Sequence, residues 1–420
     1  MVGSQVQDRG QAAGGYRWVI LAVAVLTQGG ATIASQVVAP LAPLFQTDLG
    51  LTRAEVGLFS TAVFAGAWAV MLVAGSLTDR FGVRRMISLG QIAAGASMMF
   101  MAATTSFVQA LGVMLLVGLT RGMVPPGVTK AVAEWFPART RATAMGIKQT
   151  GTPLSGILAA AILPALGLAF GWRVALAALG IFVIGSGLIA AFLYRAPISA
   201  SSEGGRKPGM RAGLRSVVKN PRLWVLAAIA VLLVINQIAL TTYLALYFNE
   251  SVLVSLVPDE RSRIVAAGGY VAICQAGGAV GRILWGVVSD RLFHGRRLAV
   301  LALIGLLSAA MALVIGSLDP AWPVWLLGIV VFIAGTGAVG WNGVYHALVA
   351  ETVPSEQVAT SAGFSLTIIE FGTMLSAPLF GFIVDVSGSY QPAWFSFSLL
   401  AAAGGLLAML AARSGHFAKG

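Results

Sequence analysis

The chain has 420 residues, of which 58% are hydrophobic and only 10% charged, with a mean hydropathy of +0.87. No water-soluble core hides so large an apolar fraction, so lipid is the solvent and an ordinary soluble enzyme fold is excluded. The net charge of +12 could suggest nucleic acid, but its distribution, described below, argues against such a partner.

Taken in chain order, twelve apolar runs are each long enough to cross a bilayer as a helix. They cover about 17–45, 56–78, 86–105, 107–134, 142–169, 173–194, 222–248, 264–288, 298–317, 321–349, 357–386 and 391–412. Residues 1–15 are polar and glycine-rich, so no cleavable signal is expected and the first run should stay as an anchor. Cys274 is the only cysteine, so no intrachain disulfide or thiol-rich metal site can form.

With the N-terminus placed inside, nineteen of the 27 Lys and Arg residues fall in inside segments and four outside, Arg53, Arg173, Arg261 and Arg263. That bias predicts that both termini are cytoplasmic. The expected organisation is a tail at 1–16, a six-helix half at 17–194, a basic linker at 195–221, a second half at 222–412 and a tail at 413–420. The linker carries Arg206, Lys207, Arg211, Arg215 and Lys219 and reads as a solvated, membrane-surface segment, not a ligand site.

Two echoes relate the halves. Gly75-Ser-Leu-Thr-Asp79-Arg80-Phe-Gly82-Val-Arg84-Arg85 returns as Gly286-Val-Val-Ser-Asp290-Arg291-Leu-Phe-His-Gly295-Arg296-Arg297, Gly to Gly and Asp to Asp offset by 211. Glu134-Trp-Phe-Pro137 with Ala142, Thr143 and Gly146 returns as Glu351-Thr-Val-Pro354 with Ala359, Thr360 and Gly363, offset by 217. Duplicated membrane halves are the architecture of a secondary transporter with its site between the repeats.

These motifs resemble the major facilitator superfamily, whose link between helices 2 and 3 carries Gly-x-Leu-x-Asp-Arg-x-Gly-x-Arg-Arg. Residues 75–85 match it, and 286–297 is a degenerate second copy. The resemblance implies an all-α membrane protein of twelve transmembrane helices in two pseudo-symmetric six-helix halves. It also implies that Asp79, Arg80, Arg84, Arg85, Asp290 and Arg291, with Glu134 and Glu351 at equivalent helix ends, gate the transporter and do not bind substrate. Lys130, four residues before Glu134, is on the same helix face and reads as its structural partner.

Ionisable groups inside spans are costly and point to function. Arg121, Lys148, Arg282, His346 and Glu370 lie deepest. Arg282 shares a face with Gln275, Gly278, Gly286 and Ser289, about 12 Å from Asp290 at helical rise. Arg282-Ile-Leu-Trp-Gly286 resembles the monocarboxylate and oxalate/formate branch, in which a helix 8 arginine holds the substrate carboxylate. A guanidinium suits this because it stays charged and grips a carboxylate with two donors. Lys148 shares a face with Gly151, Thr152 and Ser155, and by the resemblance faces the same space as Arg282. Arg121, within Gly118-Leu-Thr-Arg121-Gly122, lies where the organic anion symporters commonly carry glutamate, and Met114 stands where many members have arginine. It is read equally as substrate contact or partner of Glu370.

Glu370, with Thr367 and Thr373 on its face, is a candidate proton carrier because burial and nearby cations move a carboxyl pKa in opposite directions. His346 could assist it, against the plainer reading of a core histidine. Asn236, Gln237, Thr241, Tyr243 and Asn342, with Gln28, Thr32 and Gln36 of the first run, offer neutral hydrogen bonding, though such groups also join membrane helices. No nucleotide-binding loop, hydrolytic constellation or metal-spaced acid cluster is present in the sequence, so no catalytic residues, metal or cofactor are expected and an ion gradient supplies the energy.

The expected function is secondary transport of a small organic anion, a monocarboxylate, inward with protons. The expected partners are that anion, protons and the bilayer of a bacterial inner (plasma) membrane, and the expected state is a monomer. Gly151-Thr-Pro153-Leu-Ser-Gly156 faintly resembles a drug/proton antiporter motif, so proton-driven efflux is the main alternative. Anion exchange and a non-transporting nutrient receptor are the others.

Overall fold

A computed structural model describes residues 2–51, 53–197, 210–319 and 321–414, so linker residues Arg206 and Lys207 lie outside it. The described residues form helices joined by short irregular links, without strands. Eleven helices are long and apolar enough to cross a membrane. The twelfth is α4 below, whose Arg84, Arg85 and Gln91 lower its hydropathy although its 19 residues reach about 28 Å. The protein is therefore a multi-pass, all-α membrane protein.

The first six spans are formed by α1 (Val2–Gln36) with α2 (Val38–Leu49), α3 (Arg53–Phe81), α4 (Val83–Met101), α5 (Phe107–Gly122) with α6 (Val124–Trp135), α7 (Ala138–Gln149) with α8 (Gly151–Phe170), and α9 (Trp172–Leu193). A short α10 (Met210–Lys219) follows. The second six are α11 (Pro221–Tyr247), α12 (Glu260–Val287), α13 (Arg297–Gly316), α14 (Val324–Ala338) with α15 (Asn342–Glu351), α16 (Val358–Ser387) and α17 (Tyr390–Arg413).

Four of the runs expected as single helices are interrupted. Proline lacks the N–H that would bond four residues back. Pro40, Pro125 with Pro126, and Pro153 accordingly follow the breaks at Val37, Met123 and Thr150. The break between α14 and α15 has no proline. There the indole Nε1 of Trp285 donates to the Thr336 carbonyl at 2.8 Å, occupying the acceptor that a continuous helix would offer to the Gly340 N–H.

The chain divides into two compact units, Met1–Pro137 with Ile147–Lys219 and Val353–Thr367, and Ala138–Gly146 with Asn220–Thr352 and Ile368–Gly420. Each unit thus includes a short helical segment from the other half of the sequence. Inside each, small residues set the helix crossings. A side chain at Gly118 would overlap the Val63 carbonyl in the first unit, and one at Gly335 would overlap that of Cys274 in the second. The two crossings correspond by the same offsets, 217 between the glycines and 211 between their neighbours, so the duplication extends into the packing. Without a hydrophobic force between helices in lipid, such close backbone approach supplies much of the association.

Candidate functional site

The two sequence echoes meet in space. In the first unit Asp79, near the end of α3, accepts from the Thr360 N–H at 2.7 Å, its hydroxyl at 2.6 Å and the Ala359 N–H at 3.3 Å. These are first-turn N–H groups of α16, which have no acceptor within their own helix, so a carboxylate from another helix caps them. Lys130 Nζ lies 2.7 Å from Asp79 and 3.7 Å from Glu134, and the Tyr194 hydroxyl donates to Glu134 at 3.1 Å. Burial, then the Glu134 charge, pushes the Tyr194 hydroxyl pKa well up.

In the second unit Asp290 accepts from the Thr143 N–H at 2.8 Å and its hydroxyl at 2.7 Å. Thr143 is offset from Thr360 by 217 and Asp290 from Asp79 by 211, so this cluster is the internal counterpart of the first. Gly75 and Gly286 let the paired helices close, since a side chain at either would overlap the Ala359 or Ala142 carbonyl.

The cations differ. Ala347 occupies the place of Lys130 in the second half, and Arg297 supplies the charge instead. It donates to Asp290 at 2.5 Å, Ser289 at 2.9 Å, both oxygens of Glu351 at 3.2 and 3.3 Å, and the Ala138 carbonyl at 2.5 Å. Arg141 adds a contact to Glu351 at 3.5 Å.

Arg297 was not among the expected gating residues, although it ends the second copy of the charged signature. Arg80, Arg84, Arg85 and Arg291, which were, lie exposed outside these ion pairs. Arg80 rests over Phe81, and Arg84 donates to the Ala191 carbonyl at 2.5 Å.

A second constellation forms around the break in span 10. Arg282, 5% exposed, donates from Nε to the Val339 carbonyl at 3.3 Å. Asn342 Nδ2 donates to the same carbonyl at 3.2 Å and to Gln237 Oε1 at 3.2 Å. Trp341 Nε1 also donates to Gln237 Oε1, at 2.9 Å. Thus α11, α12 and the interrupted span bring Arg282, Gln237 and Asn342 into one network, with an irregular backbone where side chains replace the ladder. The glycines near Arg282 admit helices and do not line open space, since a side chain at Gly278 would press on Val339 and one at Gly286 on Ala142.

Of the remaining candidates, Asn236 is buried beside Gln237 on α11. The Tyr243 hydroxyl is committed to the Ala377 carbonyl at 2.8 Å, with its ring stacked on Phe380. His346 is buried with its ring edge-on to Tyr345, and Glu370 is half-buried on α16. In the first unit, Lys148 is buried with Nζ 3.2 Å from the Thr129 hydroxyl, Arg121 lies over the Phe64 ring, and Gln28 is buried on α1. Ser155, expected on the same face as Lys148, packs on α1 and donates to the Gly29 carbonyl at 2.9 Å. Among the described residues no group of His, Cys, Asp and Glu is arranged to hold a metal.

The family model for the Major Facilitator Superfamily matches residues 24–376. The chain is 26% identical to the hexuronate transporter of Bacillus subtilis, covering 84% of both chains. It is 29% identical to the gallate transporter of Pseudomonas putida, covering 96% of this chain and 92% of that one. The structure is similar to that of the E. coli fucose:proton symporter FucP, with a TM-score of 0.73 at 16% identity over 94% of this chain and 98% of that one. With twelve spans among the described residues in two duplicated halves and a family match over most of its length, the protein belongs to the Major Facilitator Superfamily and is a membrane transporter, not an enzyme.

Proposed function

We propose that this transporter carries a small organic carboxylate, a monocarboxylate, across the membrane together with protons by alternating access. The observation that supports this most is the buried Arg282 guanidinium, oriented by the Val339 carbonyl at a helix break and adjoined by the amides of Asn342 and Gln237. A desolvated guanidinium binds a carboxylate more strongly than it binds any neutral group of similar size. The relatives named for hexuronate and gallate both carry acids, which agrees with this reading.

In this reading Arg282 grips the carboxylate. Lys148 and Arg121 raise the positive potential along the path, and Asn236, Gln237, Tyr243, Asn342 and Gln28 supply neutral contacts. Glu370 carries the coupled proton with help from His346. The Asp79 and Asp290 clusters are latches that hold helix ends in one state and release them in the other. The lysine and arginine bias supports cytoplasmic termini and a cytosolic linker at 195–221 joining the halves 17–194 and 222–412. The bacterial relatives support a bacterial plasma membrane, and the monomer is the working unit.

The test is uptake by proteoliposomes containing this protein alone. Labelled D-glucuronate or gallate should accumulate against its gradient when protons are driven inward, and accumulation should collapse when the pH gradient is dissipated. Accumulation that ignores the pH gradient would remove proton coupling, and net outward movement of lipophilic cations would favour efflux.

A further inference from the structure

We infer that Gln237 and Asn342 form a subsite that reads a hydroxyl group on the substrate, so the preferred ligand is a hydroxylated carboxylate and not a plain one. This rests on the carboxylate reading of Arg282 given above.

The indole nitrogen of Trp341 can only donate. Its bond to Gln237 fixes which end of that amide is oxygen, an assignment that otherwise stays ambiguous for glutamine. Because Gln237 Oε1 also takes the contact from Asn342, the Asn342 end facing it must be the NH2 group. The Val339 carbonyl, an acceptor only, takes a second hydrogen from the same nitrogen.

Two groups are left over by this chain of assignments. Gln237 Nε2 is a donor and Asn342 Oδ1 an acceptor, and among the described residues neither has a hydrogen-bond partner. Both side chains are half-buried, so their remaining valences are turned to accessible space and not sealed in the core.

A donor adjoining an acceptor, both held by Trp341 and Val339, matches a group that is itself donor and acceptor. An alcohol or phenol hydroxyl does this, donating to Asn342 Oδ1 and accepting from Gln237 Nε2. A carboxylate does not, because its acceptor-only oxygens would face the Asn342 oxygen. Arg282 and Asn342 share one carbonyl, so a carboxylate at the guanidinium and a hydroxyl at the amides can belong to one small molecule. Trp341 is then a positioning residue: it touches no substrate, but without its N–H the Gln237 amide is free to turn over and the pattern is lost.

The experiment measures Kd on detergent-purified protein for two sets of four ligands. One set is gallate, benzoate and their primary amides, and the other is D-gluconate, hexanoate and their primary amides. Wild type should bind the hydroxylated member about tenfold or more tighter than its deoxy partner in at least one set. Trp341→Phe, which keeps an aromatic six-membered ring but loses the N–H together with the pyrrole half of the indole, should bring that ratio to within about twofold while leaving Kd for the deoxy acid nearly unchanged. Gln237→Met, close in shape but without the amide's donor or acceptor, should likewise collapse the ratio, and a thermal midpoint near wild type establishes folding for each. A ratio unchanged in both variants, or no hydroxyl preference in wild type, overturns the subsite. If acids and amides bind alike while the hydroxyl ratio persists, the carboxylate reading fails and the subsite stands. If no ligand in either set binds, both fall.

Discussion

Arg297→Ala in the second unit and Lys130→Ala in the first are equivalent deletions from two related ion-pair clusters, and the geometry predicts unequal costs. The Arg297 side chain is 1% exposed against Asp290 at 2%, and its loss strands the Asp290 and Glu351 carboxylates together with the Ala138 carbonyl. Removing one partner of a buried pair costs about 3–5 kcal/mol. Thr143 still donates twice to Asp290 and Arg141 still neighbours Glu351, so the lower end applies. Lys130 is 9% exposed beside Asp79 at 10%. Its loss leaves Asp79 three donors and Glu134 its tyrosine, so the lower end for a charge-assisted bond applies, about 1.5 kcal/mol. At about 2–4 °C per kcal/mol for units of this size, the thermal midpoint in detergent should fall by roughly 6–12 °C for Arg297→Ala and by roughly 3–6 °C for Lys130→Ala. Arg297→Lys, which keeps the charge and loses the fork, should lie between wild type and Ala. A fall for Lys130→Ala that equals or exceeds that for Arg297→Ala would refute the view that Arg297 anchors the tighter cluster.

Four further outcomes are expected. Asp79→Asn should slow transport while leaving substrate affinity within a few-fold, and complete loss of binding in a folded variant would contradict a gating role. Glu370→Gln should abolish pH-driven accumulation yet preserve substrate binding or exchange, whereas unchanged uphill uptake would make Glu370 structural. In a Cys274→Ser background, Ser202→Cys should label with an impermeant thiol reagent only from the cytosol and Ser255→Cys only from outside, and the opposite pattern would reverse the orientation. Gly118→Val should lower the thermal midpoint strongly because the new side chain meets the Val63 backbone, and a stable variant would show that this crossing can open without cost.

Twelve spans and the duplication were legible because hydropathy and two charged echoes report them directly. The meeting of those echoes was not, since nothing in residues 75–85 says that Asp79 caps a helix at a residue 280 positions later. The role of Arg297 was obscured by the extra residue before Gly295, which displaces it from its counterpart in the first copy. Its signal was the absence of a lysine at 347, where Ala347 leaves the second cluster without a cation from span 10. The breaks near Pro40, Pro125 and Pro153 could be read from proline chemistry. The break at Gly340 could not, because it depends on Trp285 reaching a carbonyl 51 residues away. Arg282, Gln237 and Asn342 were each singled out as polar groups in apolar runs, but only the structure joins them through Val339. Gly278 and Gly286, which share a face with Arg282, serve helix packing, a role not legible beforehand because a backbone approach and a cavity leave the same mark on a sequence.

The measurement that bears most directly on the account is ligand affinity of folded Arg282 variants for an acid and for its primary amide. Arg282→Ala should weaken acid binding by roughly tenfold to over a hundredfold, corresponding to the loss of about 1.5–3 kcal/mol from a charge-assisted hydrogen bond. Arg282→Lys should fall between, keeping the charge without the planar fork. The amide should bind wild type weakly and be nearly indifferent to either change. Equal losses for acid and amide would mean that Arg282 only supports the fold, and the organic anion assignment would fall with it.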